Sequence, residues 1–212
     1  AAGETPLASH RASRRGRYRM TVPNDEHVTR FPRISTGNPQ ADSVLGGGFP
    51  AHSINIVMGQ PGTGKTVFAE QMLFRTASAD RPIVYVSTLS EPMSKMVSYV
   101  QRFSYFVAEK LGSEIQYEDI GPLLSSDGIA ALVPWLTELI KRESPKIIVI
   151  DSFRAIHDLS HSVPETRRMV SDLAGLLSSY DTTAFLLGEY TTEDIQRYPE
   201  FAVSDSIIQL AR

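Results

Sequence analysis

The amino-acid sequence predicts an α/β fold, a twisted, mainly parallel sheet with helices on both faces. Three observations lead there. Short apolar runs rich in Val and Ile recur from residue 54 onward, each too short to be a helix. The longer stretches between them repeat apolar residues every three or four positions, as amphipathic helices do. The runs themselves are apolar almost without alternation, which fits strands buried on both faces and therefore paired in parallel.

In order, INIVMG (54–59) is the first core strand and runs into a glycine-rich turn. A helix follows over 65–79, with Phe68, Met72 and Leu73 sharing a face. PIVYVS (82–87) is the second strand. Pro92 suits the first turn of a helix whose apolar positions are Met93, Met96, Val97, Val100, Phe103 and Val107. IQYEDI (115–120) reads as a short strand, and Ile129, Leu132, Val133, Leu136, Leu139 and Ile140 as a helix kinked at Pro134. KIIVID (146–151) is a central strand ending in a carboxylate, and Met169, Val170, Leu173, Leu176 and Leu177 lie on the next helix. AFLLGE (184–189) and SIIQLA (206–211) complete the set. With no internal repeat or low-complexity tract, one domain is expected over 31–212.

Composition narrows the function. The 212 residues are 42% hydrophobic and 21% charged, the balance of a globular domain with a real core. No run reaches the roughly 18 apolar residues of a membrane-spanning helix. Cysteine is absent, which excludes disulfides, thiolate metal sites and thiol catalysis. The opening AAGETPLASH lacks the basic-then-apolar order of a signal peptide, so a cytoplasmic protein is expected. Residues 1–19 hold five arginines against Glu4, a net of +4, which leaves −7 for the rest of a chain whose total is −3. Residues 1–30 are read as a flexible basic tail, part of it upstream of a natural start at Met20. An acidic body is poorly matched to nucleic acid.

GQPGTGKT (59–66) satisfies G-x-x-x-x-G-K-[ST] between a strand and a helix. Such a loop, here Gly59, Gln60, Pro61, Gly62, Thr63, Gly64, Lys65 and Thr66, turns its N–H groups toward a phosphate at a helix N-terminus. Lys65 brings charge to the β- and γ-phosphates of ATP and assists catalysis; the Thr66 hydroxyl is suited to Mg²⁺. Beside this loop, the strand-terminal Asp151 of KIIVIDSF reads as the second Mg²⁺-binding residue, acting directly or through water.

These residues resemble the KaiC-like branch of the RecA superfamily of ATPases. The likeness begins near residue 33 with ISTGNPQADSVLGGGFPAHSINIVMGQPGTGKT and continues in order through YVSTLSEP, VIDSFRAIHDL, LLGEYT and FAVSDSIIQL. It implies a RecA-like P-loop NTPase core that binds ATP or ADP with Mg²⁺ between subunits of a homo-oligomer, a hexameric ring in the family. One departure is His52, where the family more often has glycine. The family's core also continues past the SDSIIQL strand, so the sequence is expected to be a truncated form.

The resemblance also points to a catalytic base. RecA-like enzymes carry a glutamate just past the second core strand, and KaiC proteins carry two adjacent acids there. Counting from Pro92 places Leu89 and Ser90 at that pair, whereas counting back from Phe103 places Glu91 at the second acid. Glu91 is the carboxylate nearest this position, with interaction with a helix dipole as its alternative role. Glu189 stands where these proteins keep a γ-phosphate sensor, or is a solvated strand end. Arg154 either faces a neighbouring subunit or is exposed without a partner. His157 and His161, spaced as H-x-x-x-H with no third ligand, read as surface histidines rather than a metal site.

Three functions compete. The first is an ATPase that hydrolyses slowly and whose nucleotide state drives assembly or signalling. A RecA/RadA-type DNA-binding recombinase is the second, opposed by Glu193, Asp194 and Glu200 against Arg197 in YTTEDIQRYPE. The third is a KaiC-type autokinase, opposed by Phe201 and Ala202 where that mechanism needs hydroxyls, although Ser204 and Ser206 lie nearby.

Overall fold

The computed structural model describes residues 32–88 and 93–211, within one unit, Phe31–Arg212. Its strands are β1 (Arg33–Ile34), β2 (Phe49–Pro50), β3 (Ile54–Met58), β4 (Ile83–Ser87), β5 (Ile115–Asp119), β6 (Ile147–Asp151), β7 (Thr183–Gly188) and β8 (Ser206–Gln209). The helices are α1 (Pro39–Val44), α2 (Lys65–Thr76), α3 (Met93–Val100), α4 (Gly121–Asp127), α5 (Leu132–Glu143), α6 (Phe153–Asp158), α7 (Val163–Ser178) and α8 (Glu200–Val203). The basic tail expected over 1–30 lies outside the described residues.

Strands β3 to β8 form one six-stranded sheet in the order β5-β4-β6-β7-β3-β8, every pair parallel. Alternate residues feed two separate cores, as the two-residue period of a strand requires. On one face Val84, Val86, Ile148, Ile150 and Leu186 pack with the apolar sides of α5 and α7. On the other, Ile83, Tyr85, Ile147, Val149 and Phe185 pack with Ala69, Met72 and Leu73 of α2. Helices therefore cover both faces, the α/β architecture of a RecA-like core. No single described helix is long and apolar enough to cross a membrane.

Two helices differ from expectation. The helix read as running to Val107 ends at Val100, and successive tight turns (Phe103 N–H to the Val100 carbonyl, Phe106 N–H to that of Phe103) replace it. The change of direction lets Tyr105 and Phe106 reach the Phe74 ring of α2, at centroid distances of 6.1 and 5.2 Å. The kink expected at Pro134 is instead a break at Gly128 (φ 75°), followed by a 3-10 turn over Ile129–Ala131. Pro134 then falls in the first turn of α5, where an N–H has no carbonyl to bond and proline costs little. His52 occupies a left-handed conformation (φ 57°) that a glycine would adopt without strain, and its N–H is held by the Thr183 hydroxyl at 2.8 Å.

Candidate functional site

A parallel sheet presents its strands' carboxyl ends on one edge, and there β3, β4 and β6 converge. A cleft of about 650 Å³ opens at that edge. Gly62, Gly64, Lys65 and Thr66 line it together with Lys95, Met96 and Tyr99 of α3, Arg154 and Asp158 of α6, and Asp151.

The glycine loop leaves β3 at Met58 and enters α2 at Lys65. Gly64 is the N-cap of α2 with φ 91°, a left-handed conformation that lets the chain turn directly into the helix. Gly59 is required for closeness: a Cβ there would stand 2.4 Å from the Leu210 carbonyl oxygen. Lys65 is 8% exposed, and its Nζ donates to the carbonyls of Gly59 (3.0 Å) and Gln60 (3.1 Å). The loop thus folds back over its own lysine.

Thr66, the next residue of α2, donates its hydroxyl to Oδ2 of Asp151 at 2.8 Å. The start of α2 and the end of β6 are thereby joined by two oxygen groups of the kind a hard divalent cation takes. No cluster of three or more His, Asp or Glu side chains suited to a metal exists among the described residues. One carboxylate and one hydroxyl beside a phosphate loop instead fit Mg²⁺, which keeps several waters and borrows ligands from phosphates. Gln60, Pro61 and Thr63 do not line this cleft; they border a second hollow of about 380 Å³ with Tyr190, Thr191 and Gln209. Gly59 is buried and lines neither.

Sequence reasoning missed the groups behind Asp151. The Tyr85 hydroxyl on β4 donates to the same Oδ2 at 2.6 Å. Its ring lies 5.3 Å from that of Tyr117, the paired residue of β5, whose hydroxyl donates to Oε2 of Glu70 at 2.6 Å. Glu70 is fully buried, and its Oε1 has no hydrogen-bond partner. Burial, helped by the nearby Asp151 charge, pushes the Glu70 carboxyl up to about 7 despite the Tyr117 hydrogen bond. The available signal was Glu70 sharing a helical face with Val67, Leu73 and Phe74.

The remaining candidates fall in different places. Glu91 lies outside the described residues, as do Leu89, Ser90 and Pro92. Glu189 is exposed and lines the main cleft. Arg154 is neither unpartnered nor simply exposed: its guanidinium bonds Asp158 at 3.1 Å and sits 4.9 Å from the Tyr198 ring. His157, expected at the surface, has a side chain only 9% exposed, and its Nε2 lies 2.8 Å from Oε1 of Glu200. His161 is exposed as expected. Glu200 is fully buried, also accepts from the Tyr190 hydroxyl, and therefore adds no charge to the surface of its loop. Asp194 caps its own turn by accepting from the Thr191 N–H at 2.8 Å.

Comparison with known proteins agrees with this architecture. The chain is 28% identical over 190 residues to the DNA repair protein RadA of Brucella abortus, covering 87% of this chain and 38% of that one. It is 24% identical over 176 residues to a UPF0273 protein of Thermotoga maritima, covering 76% and 72%. Against the circadian clock oscillator protein KaiC of Prochlorococcus marinus it is 27% identical over 189 residues, covering 84% and 38%. The chain thus spans well under half the length of the RadA and KaiC relatives. Its fold matches the crystal structure of a KaiC-like protein from Pyrococcus horikoshii, with a TM-score of 0.71 at 24% identity, over 84% of this chain and 80% of that one. The KaiC ATPase family model matches residues 34–212, glycine loop and Asp151 strand included, and the chain belongs to that family.

Proposed function

We propose that the chain binds Mg-ATP in the main cleft and hydrolyses it slowly to ADP. The single observation that carries this reading is the 2.8 Å bond from Thr66 to Asp151 beside the buried Lys65. Lys65 binds the β- and γ-phosphates, exchanging its loop carbonyls for phosphate oxygens, and also assists catalysis. Gly59 to Gly64 shape the backbone cradle. Thr66 and Asp151 hold Mg²⁺, which when bound neutralises charge shared between the β- and γ-phosphates. Glu91 orients or deprotonates the attacking water.

The nucleotide state is coupled to assembly of a homo-oligomer, a hexameric ring in the KaiC branch, in the cytoplasm. Nucleic acid is not the partner this reading favours. Glu193 is exposed on the loop after β7, and an acidic body repels phosphate.

The test is titration of a fluorescent ATP analogue with Mg²⁺ into the wild type and into Lys65→Ala. Loss of a charge-assisted contact of about 1.5–3 kcal/mol should weaken affinity by one to two decades. Equal affinity in two folded proteins would refute the phosphate-loop assignment.

A further inference from the structure

We propose that Arg154 makes the cleft select a nucleoside triphosphate over a diphosphate, by exchanging Asp158 for the terminal phosphate. The inference rests on the phosphate-binding reading above and assigns a role to the α6 residues that line the same cleft as the loop. Lys65, at the loop, serves the β- and γ-phosphates, and Thr66 beside it the metal. Thr66 and Asp151 would hold Mg²⁺ there, and the metal would offset charge on the terminal phosphates; Lys95, Met96 and Tyr99 of α3 and Arg154 of α6 line the same cleft. Arg154 lies three residues past Asp151, on the first turn of α6, and lines the same cleft as Lys65, Thr66 and Asp151.

Its surroundings allow an exchange. The Asp158 carboxylate is an i, i+4 partner on the same helix with its side chain 75% exposed, whereas the Arg154 side chain is 28% exposed. Such a pair is worth only a few tenths of a kcal/mol. A phosphate offers more charge and a bidentate fit to the planar guanidinium. The competing interaction is therefore weak.

The aromatic seat orients the arginine without neutralising it. Tyr198 lies beneath the guanidinium, and its ring centroid is 4.6 Å from that of His157 and 5.8 Å from that of Tyr190. His157 and Tyr190 both bond the buried Glu200. The Tyr198 platform is thus packed against residues tied to the buried Glu200 and does not depend on Asp158 for its place.

The experiment measures dissociation constants for Mg-ATP and Mg-ADP with the wild type, Arg154→Gln, Arg154→Lys, Asp158→Asn and Lys65→Ala, each checked for folding by circular dichroism. Arg154→Gln should weaken ATP about tenfold and leave ADP within about twofold, lowering the ATP-over-ADP preference about tenfold. Arg154→Lys should fall between. Asp158→Asn, by removing the competitor, should raise the preference two- to threefold. Equal weakening of both nucleotides by Arg154→Gln, or an unchanged ratio, would overturn the proposal. If Lys65→Ala loses both nucleotides while Arg154→Gln matches the wild type, the phosphate reading survives and the Arg154 role fails. A wild type that binds neither nucleotide would overturn both.

Discussion

The Tyr85 hydroxyl and the Thr66 hydroxyl both donate to Oδ2 of Asp151, at 2.6 and 2.8 Å. Thr66 thereby turns its proton toward the carboxylate, which under the proposed Mg²⁺ reading leaves its lone pairs for the cation. A ligand whose proton is held by a neighbouring carboxylate is oriented and made a better donor to metal. Burial and the Asp151 charge keep the Tyr85 hydroxyl protonated well above neutral pH, so it remains a donor over any working range.

Asp151→Asn should therefore cut the Mg²⁺ dependence of ATP binding by about 10–100-fold and leave the fold intact. Tyr85→Phe is the matched control. It should cost about 1–2 kcal/mol of stability, through one lost hydrogen bond to a carboxylate, and retain most of the metal dependence. ATP affinity measured with and without Mg²⁺, alongside urea unfolding, checks both. If Asp151→Asn keeps its full Mg²⁺ dependence, the carboxylate is structural.

Glu70 makes stability depend on pH. Its folded carboxyl is raised from 4.5 to about 7 by burial, so the folded state holds a proton that the unfolded state has released. Below the unfolded value the group is protonated in both states and the full stability is present. As pH rises through 4.5 toward 7 that stability is lost, and above the folded value the curve flattens. The loss should total about 3 kcal/mol across this window, because each pH unit separating the folded and unfolded values is worth about 1.4 kcal/mol. Urea unfolding of the metal-free, nucleotide-free protein from about pH 4.5 to about pH 8 measures it. Glu70→Gln removes the titration and should flatten the slope across the window; an unchanged slope would assign it to another group.

The central strands were legible because both of their faces are buried. Runs such as Ile147–Ile150 and Ala184–Leu187 can be apolar throughout only where helices cover both sides of the sheet. The end of α3 was not legible, because Phe103 and Val107 continue the helical period although the chain has turned to bring Tyr105 and Phe106 to Phe74. Glycine spacing and a strand-terminal carboxylate located Thr66 and Asp151, whose bond follows from neighbouring elements. Glu70 and Glu200 escaped for a shared reason. Their partners, Tyr117 for one and His157 with Tyr190 for the other, stand 10 to 47 positions away, and local pattern carries no such pairing.

Binding and chemistry are separated by Glu91. Thr88, three residues before it in sequence, is fixed: its N–H bonds the Asp151 carbonyl at 3.0 Å and its hydroxyl bonds that of Ser152 at 2.8 Å. Glu91→Gln keeps the size and hydrogen-bonding capacity of the side chain but cannot take a proton. If Glu91 is the base, ATP affinity should stay within a few-fold while turnover falls by roughly 10²–10⁴. Single-turnover hydrolysis at saturating Mg-ATP is the measurement, since it excludes product release. Unchanged hydrolysis would refute the base assignment and direct attention to Glu189, an exposed strand-end carboxylate that lines the same cleft. Loss of affinity together with hydrolysis would instead make Glu91 a residue that shapes the site.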